Sequence, residues 1–157
     1  VNAGVLSVDH LEVINDDDIK ALKSSLKNDK PTFPVALPLC SHFLGLPYTP
    51  GRKLVDAGLP LTLATDQNPG TSPSGDMTEV VRLGSIKMGL EPLEAIAAAT
   101  LNGAAAMELE SKVGTITPGK LANFFITREM SGLEEIPYRL NDKVVEKVYV
   151  NGELWVG

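Results

Sequence analysis

Asp66 is the first residue with a chemical role to consider, because it follows an apolar run and opens a loop of turn-forming residues. The run 61–64 is short, and the loop contains Asn68, Pro69 and Gly70. Buried parallel strands have this appearance, and α/β enzymes place their chemistry at the carboxyl ends of such strands. The segment alone is equally compatible with a turn aspartate that caps the next element.

Two other predicted strands also end in side chains that can exchange protons. His10 follows the apolar run 5–8, and Cys40 and His42 follow the run 32–39. A hydrogen-bonded structural histidine is the alternative interpretation of His10. For Cys40 and His42, loop packing is the better interpretation, because a Cys–His nucleophile pair needs a third, orienting group. Three such ends on one edge of a sheet still predict a site there.

Strands and helices alternate along the part of the chain that carries these residues. Asn15 followed by three aspartates is a helix start, and isoleucine and leucine at helical spacing extend that helix. The predicted elements are, in chain order, a strand over 5–8, a helix over 16–28, a strand over 32–39, a helix over 52–57 and a strand over 59–65. This order predicts a parallel sheet covered by helices.

Two further helices and then a change of composition follow the third strand. One helix is predicted from Met77 to Gly89, and the next begins near Pro92 and continues to about 106. From residue 111 onward, short β-type runs alternate with glycine and proline, and Asn151-Gly152 is a strong hairpin signal. We therefore divide the chain into an α/β part over 1–110 and a small β unit over 111–157. The strands predicted in that unit are Phe124–Thr127, 144–150 and 154–156.

Composition and charge limit the classes of function. The 157 residues carry a formal net charge of −6, and their lysines and arginines are scattered, which argues against a nucleic-acid partner. No apolar run approaches the length that crosses a bilayer, and the single cysteine fits a reducing compartment. We expect a cytoplasmic protein that binds a small-molecule substrate and has no membrane partner.

Several segments resemble the imidazolonepropionase family of the amidohydrolase superfamily. The motifs Cys-Ser-x-Phe-Leu-Gly and Asp-x-Asn-Pro-Gly are the most specific, and the resemblance extends over essentially the whole chain. Segments that carry it are 37–48, 57–60, 64–75, 98–104 and 119–123. The resemblance implies a metal-dependent (β/α)8 barrel with a small composite β-sandwich. This chain would supply barrel strands six to eight and the C-terminal strands of the sandwich.

The resemblance also implies roles for individual residues. Asp66 would be a metal ligand that handles the proton of the attacking water, and His10 would lie beside the substrate rather than on the metal. Asn68, Gly70 and Thr71 would form the substrate-binding loop, whose backbone N–H groups suit a carboxylate. The implied reaction is hydrolysis of the imidazolone ring of imidazolonepropionate to N-formimidoyl-glutamate. The implied cofactor is one divalent ion, zinc or iron, with most of its ligands upstream of this chain.

The same resemblance implies that the chain is an incomplete part of the enzyme. A barrel of this class takes roughly 250 residues, and the His-x-His pair expected on its first strand is absent from a chain whose two histidines are His10 and His42. We therefore expect the isolated chain to be inactive. Open sheet edges favour association with the missing N-terminal half or with another copy, and we expect the complete enzyme to be a homodimer. The alternatives are another amidohydrolase, acting on a cyclic amidine or a nucleobase, and a non-catalytic scaffold.

Overall fold

A three-stranded parallel sheet organises the first part of the molecule. The computed structural model describes residues 1, 3–139 and 142–156. Strands β1 (Ser7–Asp9), β2 (Phe33–Ala36) and β3 (Thr62–Leu63) lie side by side in that order, and both pairs are parallel. Within the described residues the sheet does not close into a barrel. The predicted parallel sheet is confirmed, and its carboxyl ends meet at one edge.

Helices connect and cover these strands. They are α1 (Asp16–Ser25), α2 (Pro38–Leu44), α3 (Gly51–Asp56), α4 (Met77–Met88), α5 (Pro92–Ala99), α6 (Leu101–Ala106) and α7 (Glu135–Tyr138). Helix α1 begins at the predicted cap, because Asn15 Oδ1 accepts the backbone N–H groups of Asp17 at 2.8 Å and Asp18 at 3.1 Å. The Asp18 carboxylate accepts the N–H of Asn15 in return, which completes a capping box. The helix ends at Ser25, three residues before the predicted end.

The predicted strand over 32–39 is wrong in its second half. Strand β2 ends at Ala36, and Pro38 opens helix α2, which ends where Gly45 adopts a left-handed φ of 66°. Proline is favoured in the first turn of a helix because its missing N–H has no partner there. Cys40 and His42 therefore lie on a helix and not at the end of a strand.

Strand β3 is also shorter than predicted, and the last long helix is interrupted. Pro60 has no N–H to donate, so the run 59–65 forms ladder pairs only at Thr62 and Leu63. The helix predicted from Pro92 to about 106 is divided at Thr100, whose φ of −124° and ψ of −78° are not helical. Helices α5 and α6 both contact β3 on either side of this break.

The main core lies between the sheet and the helices. It contains Ala36, Leu61 and Leu63 from the strands together with Leu54 of α3 and Val80 of α4, all of them buried. A second cluster on the opposite face contains Val35, Leu37 and Cys40, with Ala64 packed against it. Both faces of the sheet are therefore apolar, as is typical of parallel sheets.

The C-terminal unit is an antiparallel sheet of β4 (Phe124–Thr127), β5 (Val145–Val150) and β6 (Glu153–Val156). Asn151 and Gly152 connect the last two strands with positive φ angles of 52° and 85°, so the predicted hairpin is confirmed. The rings of Phe124 and Tyr149 stack with centroids 4.8 Å apart. Throughout the described residues, no helix combines the length and the apolar character that spanning a membrane requires.

Candidate active site

Two of the predicted site residues leave the parallel sheet at the same edge. His10 directly follows β1, and Asp66 lies three residues beyond the end of β3. Strand β2 lies between them, so the two chain segments are separated by two strand spacings, about 10 Å. The structure therefore places His10 and Asp66 on the common edge that the sequence predicted for them.

The backbone is in an uncommon conformation at both positions. The φ angles are 73° at His10, 70° at Leu11 and 52° at Asp66, all in the left-handed region that favours glycine. Such angles persist in other residue types only where the surroundings hold them, and they concentrate at functional sites. Glu108 and Asn151 share this conformation, and Asn151 belongs to a hairpin turn.

Three side chains hold the segment around His10. The Nδ1 atom of His10 lies 3.2 Å from Glu12 Oε1, and Ser41 donates its hydroxyl to the same oxygen at 3.1 Å. The hydroxyl of Thr49 donates to the backbone carbonyl of His10. Ser41 and Thr49 are buried, whereas the His10 side chain is 48% exposed. The imidazole is therefore fixed in place and still accessible to a ligand.

The roles of Glu12, Ser41 and Thr49 were not predicted from the sequence. Glu12 lies two positions after a candidate histidine, which is a usable signal for a partner of its ring. Ser41 is 29 residues and Thr49 is 39 residues away from the groups that they contact. No local pattern indicates contacts of that kind, because they depend on how α2 and the segment before α3 fold over the sheet edge.

The loop after Asp66 is organised by the side chain of Asn68. Its Oδ1 atom accepts the backbone N–H groups of Gly70 at 2.9 Å and Thr71 at 2.8 Å, and its Nδ2 atom donates to the Asp66 carbonyl at 2.6 Å. The structure brings the predicted loop residues together. However, the N–H groups of Gly70 and Thr71 are already bonded within the loop, so the prediction that they are available to a carboxylate is wrong for these two.

Cys40 and His42 do not form a reactive pair. Cys40 is buried in the core, whereas His42 is exposed and its Nδ1 atom lies 2.9 Å from the hydroxyl oxygen of Tyr48. Burial raises the pKa of the Tyr48 hydroxyl above its ordinary value. Cys40 is a packing residue, but it lies on helix α2 and not in a loop, and the interpretation of His42 as a packing residue is wrong because its side chain is exposed.

A cavity of about 750 Å³ adjoins the site beside strand β3, and residues of both core clusters line it, among them Leu63 and Ile96 of the main core and Val35 of the second cluster. Val35, Thr62 and Ala64 of the sheet segments form one wall, and Thr65 connects that wall to Asp66. Helices α5 and α6 and strand β4 form the other walls, which are mainly apolar. Cavities of this size accept small molecules, and this one was not predicted from the sequence.

The described residues do not make up a complete metal site. Among residues 1, 3–139 and 142–156, no three or more His, Cys, Asp and Glu side chains are grouped closely enough to hold an ion. Asp66 brings a carboxylate to the sheet edge, whereas a catalytic zinc ion takes about three protein ligands. The chain therefore presents one candidate ligand at this edge.

The parallel sheet, its helical connections and the polar residues at its carboxyl edge are typical of α/β enzymes. The model of the amidohydrolase family matches residues 5–155, and the chain belongs to this family. It is 56% identical over 149 residues to the imidazolonepropionase of Christiangramia forsetii, covering 95% of this chain and 35% of that protein. It is 51% identical over 154 residues to the imidazolonepropionase of Flavobacterium johnsoniae, covering 98% of this chain and 36% of that protein. The chain thus spans about a third of the length of the curated relatives that it matches.

Solved structures share the same fold at low sequence identity. The adenosine deaminase of Xanthomonas campestris with bound zinc superposes with a TM-score of 0.82 at 20% identity, over 96% of this chain and 36% of that one. The atrazine chlorohydrolase of Arthrobacter aurescens complexed with zinc superposes with a TM-score of 0.79 at 17% identity, over 98% of this chain and 37% of that one. The parallel sheet and the small antiparallel sheet together therefore correspond to about a third of an amidohydrolase structure.

Proposed function

We propose that this chain is part of an imidazolonepropionase that opens the imidazolone ring of imidazolonepropionate and yields N-formimidoyl-glutamate. The observation that carries the proposal is the position of His10 and Asp66 on one sheet edge, in a chain 56% identical to an imidazolonepropionase over 95% of its length. Ring opening of a cyclic amide requires an activated water and a polarised carbonyl. A carboxylate and an imidazole at one edge are suited to these two tasks.

We assign Asp66 two tasks in the complete enzyme. Its carboxylate would be one ligand of a divalent ion whose other ligands lie outside this chain, and it would accept the proton of the attacking water. Zinc is the first ion to test, because the adenosine deaminase and the chlorohydrolase with the same fold hold zinc. Iron is the second, since nitrogen and carboxylate ligands suit both ions.

We assign His10 to the substrate carbonyl and the loop Asn68–Gly70–Thr71 to the binding of the substrate. His10 is half exposed, and its backbone carbonyl is held by Thr49, so its ring is presented to a ligand with little freedom to move. The loop is held by the Asn68 side chain. A rigid loop on the same sheet edge as a fixed imidazole limits the orientations in which a ring can bind.

Open sheet edges support a further part of the proposal, that the chain functions in association with other polypeptide. Among the residues that the structure describes, strands β1 and β3 each have one unpaired edge in the parallel sheet. In β6, Leu154, Trp155 and Val156 are all more than half exposed. We propose that the remaining part of the enzyme, or a second copy of the chain, covers these surfaces. Light scattering on the purified chain tests this, and a stable monomer contradicts it.

A chimera tests the proposed reaction directly. Residues 1–157 would replace the matching region of the Christiangramia forsetii imidazolonepropionase, and the absorbance of imidazolonepropionate would be followed after zinc or iron is added. We expect turnover by the chimera and none by the 157-residue chain alone. Turnover of a nucleobase or a triazine in place of imidazolonepropionate would favour a different amidohydrolase. A folded chimera that hydrolyses none of these substrates would favour a scaffold.

A further inference from the structure

We propose that Glu12 is a positioning residue that fixes the tautomer of His10, and that Ser41 holds Glu12 in place. The importance of this arrangement for catalysis rests on the proposed function, in which His10 faces the substrate. The tautomer itself depends only on contacts within this chain. Nothing in the reaction as described above requires Glu12 or Ser41, so these roles are additional to it.

The hydrogen-bond donors and acceptors around Glu12 decide where the imidazole proton lies. An ionised carboxylate only accepts hydrogen bonds, whereas each nitrogen of a neutral imidazole is either a donor or an acceptor. Glu12 Oε1 lies 3.2 Å from Nδ1 of His10, so Nδ1 must carry the proton for this contact to be a hydrogen bond. The other ring nitrogen, Nε2, then carries a lone pair. In this way the partner of one nitrogen determines the state of the other.

Ser41 holds the carboxylate of Glu12 in one position. Its hydroxyl donates to the same Oε1 atom at 3.1 Å, and its side chain is 1% exposed on helix α2. Glu12 itself is 14% exposed, so bulk water has little access to compete for the carboxylate. The left-handed backbone at His10 and Leu11 turns the chain so that Glu12 folds back onto the ring two positions earlier. A buried serine therefore anchors the carboxylate, and the carboxylate anchors the imidazole.

This tautomer has a definite chemical consequence. In the neutral ring Nε2 accepts a proton, and only in the imidazolium ion does Nε2–H donate a hydrogen bond. If His10 polarises the substrate carbonyl through Nε2, it does so as the imidazolium ion, with Glu12 balancing the charge across Nδ1–H. Glu12 thus determines which of the two nitrogens serves the substrate, without contacting the substrate itself.

The second histidine provides an internal reference. The Nδ1 atom of His42 lies 2.9 Å from the Tyr48 hydroxyl, which can donate to that nitrogen or accept from it, so this contact does not impose a tautomer as a carboxylate does. The His42 signals therefore serve as a reference that substitutions at Glu12 should leave unchanged. Both rings are resolved in one ¹⁵N–¹H spectrum of the imidazole groups, recorded about two pH units above the ordinary histidine pKa of about 6.5. A His42→Gln variant assigns the signals.

The experiment uses the 157-residue chain and three substitutions at one position. Glu12→Gln keeps an acceptor oxygen, so His10 should remain Nδ1–H. Glu12→Ala removes the acceptor, and Glu12→Asp withdraws it by one methylene while keeping the charge. Both should move His10 to the Nε2–H tautomer that predominates in free histidine, while the His42 signals stay unchanged.

Two results overturn the proposal. One is an Nε2–H tautomer at His10 in the unsubstituted chain, and the other is an Nδ1–H tautomer that survives in a folded Glu12→Asp or Glu12→Ala variant. The outcome is independent of enzyme activity. A chimera without turnover whose His10 is Nδ1–H would contradict the proposed function and support the role of Glu12.

Discussion

Replacing Gly84 by alanine tests how closely helix α4 packs against strand β3, which leads to Asp66. A Cβ atom on Gly84 would lie 2.9 Å from Cδ1 of Leu63, and Leu63 is 3% exposed. Alanine is about 1 kcal/mol more favourable than glycine in a helix interior. Overpacking a core costs about 1–3 kcal/mol. We expect Gly84→Ala to lower the free energy of unfolding by about 0–2 kcal/mol, the difference between these two terms.

Gly103→Ala is the matched control. Gly103 lies within helix α6, and a Cβ atom there would come no closer than 3.8 Å to Ala98 O and 4.0 Å to Thr62 Cγ2. The same gain in helix propensity applies without the overlap, so the free energy of unfolding should rise by about 0.5–1 kcal/mol. Because the propensity term cancels between the two variants, they should differ by about 1–3 kcal/mol, which is the overpacking term alone.

Urea unfolding monitored by far-UV circular dichroism measures both variants at one fixed chain concentration. Adding Leu63→Val to the Gly84→Ala variant removes the overlapping Cδ1 atom, so the two substitutions together should cost less than the sum of their separate costs. Equal stabilisation by Gly84→Ala and Gly103→Ala would show that α4 does not approach β3 as described. The packing of α4 against Leu63 could then not be what holds the end of β3, and with it Asp66, in position.

Three further predictions follow from contacts near the sheet. Asn15→Ala removes the cap of α1 and should lower the free energy of unfolding by about 0.5–2 kcal/mol in the same urea assay. Arg52 holds the pKa of Glu94 below its usual range through bonds of 2.7 Å and 3.0 Å. Ionised Glu94 therefore adds stability above its unfolded pKa of about 4.3, and this is lost as the pH falls through the lower folded value. The stability difference between the native chain and Glu94→Gln should be largest near neutral pH and vanish in acid, and a constant difference would refute the assignment. Asn68→Ala removes the acceptor for the N–H groups of Gly70 and Thr71, so their amide hydrogens should exchange faster, whereas Asn68→Asp keeps the acceptor and should preserve their protection.

Local signals in the sequence predicted much of the fold. The cap at Asn15, the glycine that ends α4 at Gly89 and the Asn151-Gly152 turn all act over a few residues, and the structure confirms each of them. The alternation of strands and helices was sufficient to predict a parallel sheet. Propensities and turn chemistry of this kind depend on neighbours in the chain, so they can be recognised without the tertiary structure.

Elements that depend on tertiary contacts were predicted less well. The apolar run that includes Leu37 and Leu39 reads as a strand, because a short apolar run does not separate strand from helix by periodicity. In the structure it turns into α2 at Pro38, which brings Ser41 to Glu12. The interruption at Thr100 was likewise missed, because three alanines precede it and Leu101 and Ala104 continue the apolar spacing of a helix beyond it.

In the candidate site, too, the features that depend on local signals were predicted and those that depend on tertiary contacts were not. His10 and Asp66 were predicted at one edge because the carboxyl ends of parallel strands must meet there. The residues that orient them were not predicted, since Thr49 contacts a carbonyl 39 positions away. The roles of Asn68, Gly70 and Thr71 in substrate binding remain predictions, although their mutual hydrogen bonds show that they form one unit.

Metal content and turnover measured together, in the chimera with the Christiangramia forsetii enzyme, test the central claim most directly. Asp66→Asn should lose bound metal and also lower kcat by about 10²–10⁴-fold, the usual effect of removing an acid–base group. His10→Asn should lower kcat while it retains the metal, because His10 is assigned to the substrate. An Asp66→Asn chimera that keeps both its metal and its turnover would contradict the account.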